Sequence, residues 1–185
     1  MARHVWVVCS TAFVAVLLFV ACGASAHSST AKPTTSTVPE DVVVQPTSFH
    51  NINTLTRIGD HFVGNLLGHL DKTLAVARAG TGRYPVGTII QLVPVEAMVK
   101  RHAGYDAATH DWEFFSLDAS AQGTKILTQG TTNVVNRFGG NCASCHEAAQ
   151  QQFDLVCGKN HGCAPLPIGD SIIAALQKAD PRPKQ

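Results

Sequence analysis

The sequence predicts an α+β fold, mainly antiparallel β-sheet with flanking helices, in which a helix near the C-terminus opens on a compact cysteine and histidine box. Three observations carry this. The stretch from Val86 to Arg137 is rich in β-branched and aromatic runs, as strands are. Segments on either side of it repeat apolar residues at three- and four-residue steps, as amphipathic helices do. The box itself, Cys142-Ala143-Ser144-Cys145-His146, lies four-fifths of the way along the 185 residues.

The N-terminal end is expected to lie outside the fold. Arg3 and His4 precede an apolar run from Val5 to Ala21, and small residues follow. A basic start, an apolar middle and a small-residue exit predict a secretory signal peptide over residues 1–21. Two cleavage signals overlap there. Ala24-Ser25-Ala26 would release a soluble protein after residue 26. Phe19-Val20-Ala21-Cys22-Gly23 has the pattern of a bacterial lipobox, which predicts acylation of Cys22 and attachment to a membrane by lipid chains. Residues 22–48, rich in Ser, Thr and Pro between Ser28 and Ser48, are expected to form a disordered tether. Residues 49–185 are expected to form one domain.

Within that domain the elements follow in order. Asp60 to Ala79 has helical spacing (Phe62, Val63, Leu66, Leu67, Leu70, Leu74, Ala77) and Gly80 can close it. Val86 to Val95 is apolar and β-branched, ending near Pro94, and predicts a buried strand. Trp112 to Leu117 predicts a second strand. Lys125 to Thr128 and Thr131 to Arg137 predict a third and a fourth. A helix from the box to about Val156 and a last helix from Ser171 to Ala179, stopped by Pro181, complete the chain.

The chemistry lies in the box. Two thiols three residues apart lie on one helical turn and can add across both vinyl groups of one haem. The next residue, His146, is then held close enough to ligate the iron. Cys142, Cys145 and His146 are therefore expected to bind one haem c per chain, His146 being the proximal ligand. Cysteine arithmetic agrees. Cys9 leaves with the signal, Cys22 is lipidated or removed, and Cys157 and Cys163 remain as a pair for a disulfide in an oxidising compartment. A metal site built on Cys157, His161 and Cys163 is the rival for that pair, and it lacks a fourth ligand.

Charge excludes some partners. The chain carries 14 basic and 13 acidic side chains, and loss of Arg3 leaves it formally neutral. Neither nucleic acid nor electrostatic docking on anionic lipid is expected.

The order Gly64-Asn65, Arg83-Tyr84-Pro85-Val86-Gly87-Thr88, Trp112-Glu113-Phe114-Phe115, then the box and Phe153-Asp154-Leu155-Val156 resembles the β-sheet mono-haem cytochromes. These are cytochrome P-four-sixty and cytochrome c′-beta, and the resemblance spans roughly residues 64–156. It implies a mostly antiparallel sheet, often in a homodimer, with the distal face of the haem turned to the sheet. It does not carry over the lysine–haem cross-link of cytochrome P-four-sixty, because no lysine lies between Lys72 and Lys100. The tail after Val156 lies outside the resemblance.

The sixth position on iron decides the activity. Met98, the one methionine after the signal, is a candidate ligand, as are His50, His61, His69, His102 and His110. The leading expectation is an open position faced by Phe114, Phe115 or Leu92, binding or slowly turning over a small ligand such as nitric oxide. A six-coordinate electron-transfer cytochrome is the alternative. A hydroxylamine-oxidising or peroxidase-type enzyme is a third, and it would need a distal acid or base, for which Glu96, Glu113 and His102 are candidates.

Overall fold

The structure is a computed structural model that describes residues 40–184; the expected signal peptide, Cys22 and the tether up to residue 39 lie outside them. Six strands run β1 (Thr56–Ile58), β2 (His61–Asn65), β3 (Thr88–Gln91), β4 (Glu96–Lys100), β5 (Trp112–Ser120) and β6 (Gly123–Gly130). They form one sheet in sequence order, every neighbour antiparallel. Among the described residues three α-helices flank it: α1 (Leu70–Ala79), α2 (Cys142–His146) and α3 (Asp170–Lys178). The expected α+β class and antiparallel sheet are therefore present. Among the described residues no helix is long and apolar enough to cross a membrane.

Several elements differ from expectation, each for a local reason. The helix expected from Asp60 begins only at Leu70. Phe62 and Val63 satisfy helical spacing and strand alternation alike, and a hairpin decides between them. The Gly59–Asp60 turn, with Gly59 at φ 60°, folds β2 back onto β1. The long strand expected over Val86 to Val95 is shorter, β3 stopping at Gln91, and β4, just past the expected end, is an additional strand. Pro94 cannot donate to a ladder, so the chain turns there. The third expected strand lies within β6, and the fourth, Thr131 to Arg137, forms no strand: only Val135 bridges to Asn141 there. The helix expected to reach Val156 stops at His146. Asp154 and Leu155 take left-handed backbone angles, φ 51° and 61°, which no helix accommodates. The last helix starts one residue earlier than expected.

Strand alternation gives the sheet two apolar faces. Val63, Ile90, Met98 and Phe114 lie on one, beneath Ala77, Tyr84, Val134, Ala143, Leu155 and Val156. Ile89, Ala97, Val99, Phe115 and Leu117 lie on the other, covered by Val42 and Phe49. That cover corrects the tether boundary. Val42 is only 4% exposed, and Asp41 pairs with Arg101 at 2.7 Å, so the chain is already packed at residue 41. Burying a valine stabilises by about 1.5–3 kcal/mol, enough to hold a segment that composition marks as loose.

Candidate functional site

The box is held against the first face of the sheet from both ends. Asn141 caps α2, its side chain accepting from Ser144 N at 3.0 Å, and Cys142 N donates to Val134 O at 3.0 Å. Ala143, 4% exposed, is the apolar contact that seats the turn. Cys142 and Cys145 are free thiols, both partly buried. Cys157 and Cys163, by contrast, are joined in a disulfide. The expected Cys157–Cys163 disulfide is therefore present, and it leaves neither of those thiols as a thiolate for a metal. Among the described residues no group of three or more His, Cys, Asp or Glu is placed to hold one.

Burial pushes the Cys142 thiol up to about 11, with the nearby Glu96 and Cys145 adding to it. It therefore stands as a protonated, neutral thiol at pH 7. The ring of His146 lies 5.1 Å from that of Phe114, centroid to centroid, and its Nδ1 lies 2.6 Å from Leu155 O. A carbonyl only accepts, so Nδ1 carries the proton and Nε2 the lone pair. Burial lowers the pKa of His146, against the opposing pull of that hydrogen bond. A neutral imidazole with its Nδ1 anchored is the form that ligates a metal through Nε2.

Leu155 is held in turn by Asp154. The Asp154 carboxylate accepts from Lys100 Nζ at 2.7 Å and from Tyr84 N at 2.9 Å, and its carbonyl accepts from Trp112 Nε1 at 2.7 Å. Lys100 also donates to His110 O at 2.6 Å and stands 4.7 Å from the Trp112 ring centroid. Lys100 and Asp154 are almost wholly enclosed, so the Lys100 ammonium depends on the Asp154 carboxylate for a direct counter-charge. This hub fixes the two left-handed residues that aim Leu155 O at His146. Sequence reasoning assigned Lys100 and Asp154 no such part.

The remaining candidates separate by sheet face. Met98, 4% exposed, lies on the box face between its cross-strand neighbours Ile90 and Phe114. Phe114 shares that face, whereas Phe115 packs on the opposite one against Phe49, and Leu92 is in the β3–β4 turn. Glu113 pairs with Arg101 on the opposite face, and His102 Nδ1 faces its neighbour Ala103 O. Those two are set apart from the box. Glu96 is not. Its Oε1 is buried without a partner, and burial raises its carboxyl to about 6 despite Arg137 nearby. Of the histidines, His50 is exposed, His69 meets Glu40 at 3.2 Å, and His110 lies 3.3 Å from Asp154. His61 alone is enclosed, 9% exposed, on β2.

A cavity of 440 Å³ opens beside this assembly. Its apolar wall includes Ile58, Val76, Ala77, Tyr84 and Val156, all of which belong to or pack on the cluster that holds Ala143 and Cys142. Its polar end has Asp60, His61, Lys159, His161 and Asp170. His161 stacks on Phe153, centroids 3.8 Å apart, and its Nδ1 lies 2.7 Å from Val156 O. No protein-family model, curated protein or solved structure matches this chain.

Proposed function

We propose that this chain is an exported mono-haem c-type cytochrome on a β-sheet scaffold, with Cys142 and Cys145 holding the haem and His146 as its proximal ligand. One observation carries it: two free thiols one helical turn apart, followed by a histidine whose Nδ1 is committed to Leu155 O and whose Nε2 is left to bind. When bound, the group would supply an iron centre able to change oxidation state or take a small ligand. The protein's part is to fix and shield it. The Leu155 carbonyl sets the tautomer and orientation of His146, Phe114 packs on the imidazole, and the Asp154 hub keeps that carbonyl in place. The resemblance to cytochrome P-four-sixty and cytochrome c′-beta supports the same reading through the box, the Trp112 strand and the Asp154-Leu155-Val156 turn. The expected signal peptide and the lipobox pattern at Cys22 support export to the periplasm or attachment to a membrane.

The sixth position is open in this proposal and takes a small neutral ligand such as nitric oxide. Supporting it, the face of the sheet that the box rests on is apolar beyond Phe114, with Ile90 and Met98 in cross-strand register. Lys100, the lysine on that face, is engaged with Asp154, which argues against a lysine–haem cross-link and the hydroxylamine chemistry that goes with it. The electron-carrier alternative draws on Met98, buried on the box face. Optical spectra of the oxidised and reduced protein, with and without carbon monoxide and nitric oxide, test the choice. A high-spin ferrous spectrum that shifts with carbon monoxide is expected; a sharp low-spin spectrum indifferent to it overturns the open site.

A further inference from the structure

The cavity of 440 Å³ is lined by none of Cys142, Cys145, His146 and Phe114, so it is a place apart from the box. Its size is that of a pocket for a small organic molecule. Ile58, Val76, Tyr84 and Val156 give it an apolar wall. Its polar end holds two imidazoles, His61 and His161, with the carboxylates of Asp60 and Asp170 and one ammonium, Lys159.

Each imidazole has one nitrogen committed. His61 Nδ1 lies 3.0 Å from Asp60 Oδ1, and His161 Nδ1 lies 2.7 Å from Val156 O. A carboxylate and a carbonyl only accept, so each Nδ1 bears the proton and each Nε2 a lone pair. That of His61 has no partner: the residue is 9% exposed and its Nε2 is buried without a hydrogen bond. The bond to His61 is also the main cause holding the Asp60 carboxyl below its ordinary value, and His161 is near enough to add to it. Gln177 of α3 fixes the turn that carries Asp60, donating to its carbonyl at 2.6 Å and to Leu92 O at 2.9 Å.

The second ring is held as firmly, by the disulfide loop. His161 lies between Cys157 and Cys163, stacked on Phe153 at 3.8 Å with the planes 2° apart. A Cβ at Gly158 would lie 2.8 Å from its Cε1, so only a residue without a side chain leaves the ring this position. Its carbonyl accepts from Gln150 N at 2.8 Å. The loop thus presents a fixed acceptor to the cavity, which the box does not use.

Charge and hydrogen-bond polarity select the occupant. With both rings neutral, two carboxylates against one ammonium leave the polar end negative. Its lone pairs call for a donor. An ammonium group brings three donors and a positive charge; a carboxylate brings none and meets Asp60 and Asp170 with like charge. We infer that this cavity binds a small arylalkyl amine in its ammonium form. The ring lies on the apolar wall, the N–H groups donate to Nε2 of His61 and of His161, and Asp60 and Asp170 supply the counter-charge. This site goes beyond the haem reading and does not depend on it.

The test is calorimetric titration of the purified exported protein with three probes of one shape: phenethylamine, phenethyl alcohol and phenylacetate. The amine should bind tightest, at least about tenfold above phenylacetate, with the alcohol between them. Asp60→Asn keeps an acceptor for His61 and removes the charge, at a half-exposed side chain where folding is not at stake. It should weaken the amine about fivefold and leave the alcohol unchanged. His161→Ala should weaken amine and alcohol alike, by at least about fivefold. An amine affinity that either substitution leaves unchanged overturns the inference. So does phenylacetate binding as tightly as the amine, or no saturable amine binding up to about 1 mM.

Discussion

His146 donates through Nδ1 to the carbonyl of Leu155 at 2.6 Å, and that single contact settles which ring nitrogen is left to bind. The carbonyl points at His146 because two consecutive residues, Asp154 and Leu155, take left-handed backbone angles. A leucine in that region is strained, at a cost of order 1–3 kcal/mol. The buried Lys100–Asp154 pair, with Tyr84 N and Trp112 Nε1, offsets it.

Replacing Asp154 should therefore be costly. Asp154→Ala leaves the Lys100 ammonium buried and unpaired and frees the turn. A loss of about 3–5 kcal/mol in urea unfolding is expected, together with a weakened hold on His146. An unfolding midpoint equal to that of wild type would show that the hub does not support the turn.

Glu96 should make stability depend on pH. Its folded-state carboxyl, raised to about 6 by burial, stands above the ordinary value of 4.5. The folded protein therefore holds this proton more tightly than the unfolded chain does. The contribution is present in full below pH 4.5 and is lost as pH rises through 6, by about 2 kcal/mol. Glu96→Gln should remove this slope. Parallel pH profiles of unfolding free energy for the two proteins would contradict it.

Much of this was legible in the sequence, and the rest was not for physical reasons. The box is legible because two cysteines and a histidine, rare residues, fall within five positions of the chain. β5 is legible because Trp112, Phe114 and Phe115 crowd one segment. β4 was hidden, since Glu96 and Lys100 make a buried strand look polar and the preceding proline looks like its end. The Asp154 hub joins residues 42, 54 and 70 positions apart in the chain, which no local pattern can bring together. The one hint was the short Asp154-Leu155-Val156 run within the family resemblance, which names the residue without its partners. His61 was hidden by Phe62 and Val63, whose spacing suits a helix as well as a strand.

The disulfide should withstand alkylation. Peptides from non-reduced protein should show neither Cys157 nor Cys163 modified, and replacing both with Ser should cost about 2 kcal/mol by loop entropy. Complete alkylation of both thiols in the native exported protein would contradict the pairing.

Met98 serves as packing in the open-site proposal. Met98→Leu conserves volume and should cost less than about 1.5 kcal/mol, with the visible spectrum almost unchanged. Conversion of a low-spin iron to high-spin by that substitution would make Met98 the sixth ligand and favour the electron carrier.

Covalent haem attachment is the central claim, and acid–acetone extraction of the exported protein tests it most directly. The wild-type protein should keep its haem in the pellet, with the pyridine haemochrome spectrum of two thioether bonds, and Cys142→Ala/Cys145→Ala should retain none. Haem released into the acetone phase from wild type, or no haem in the exported protein at all, would contradict it.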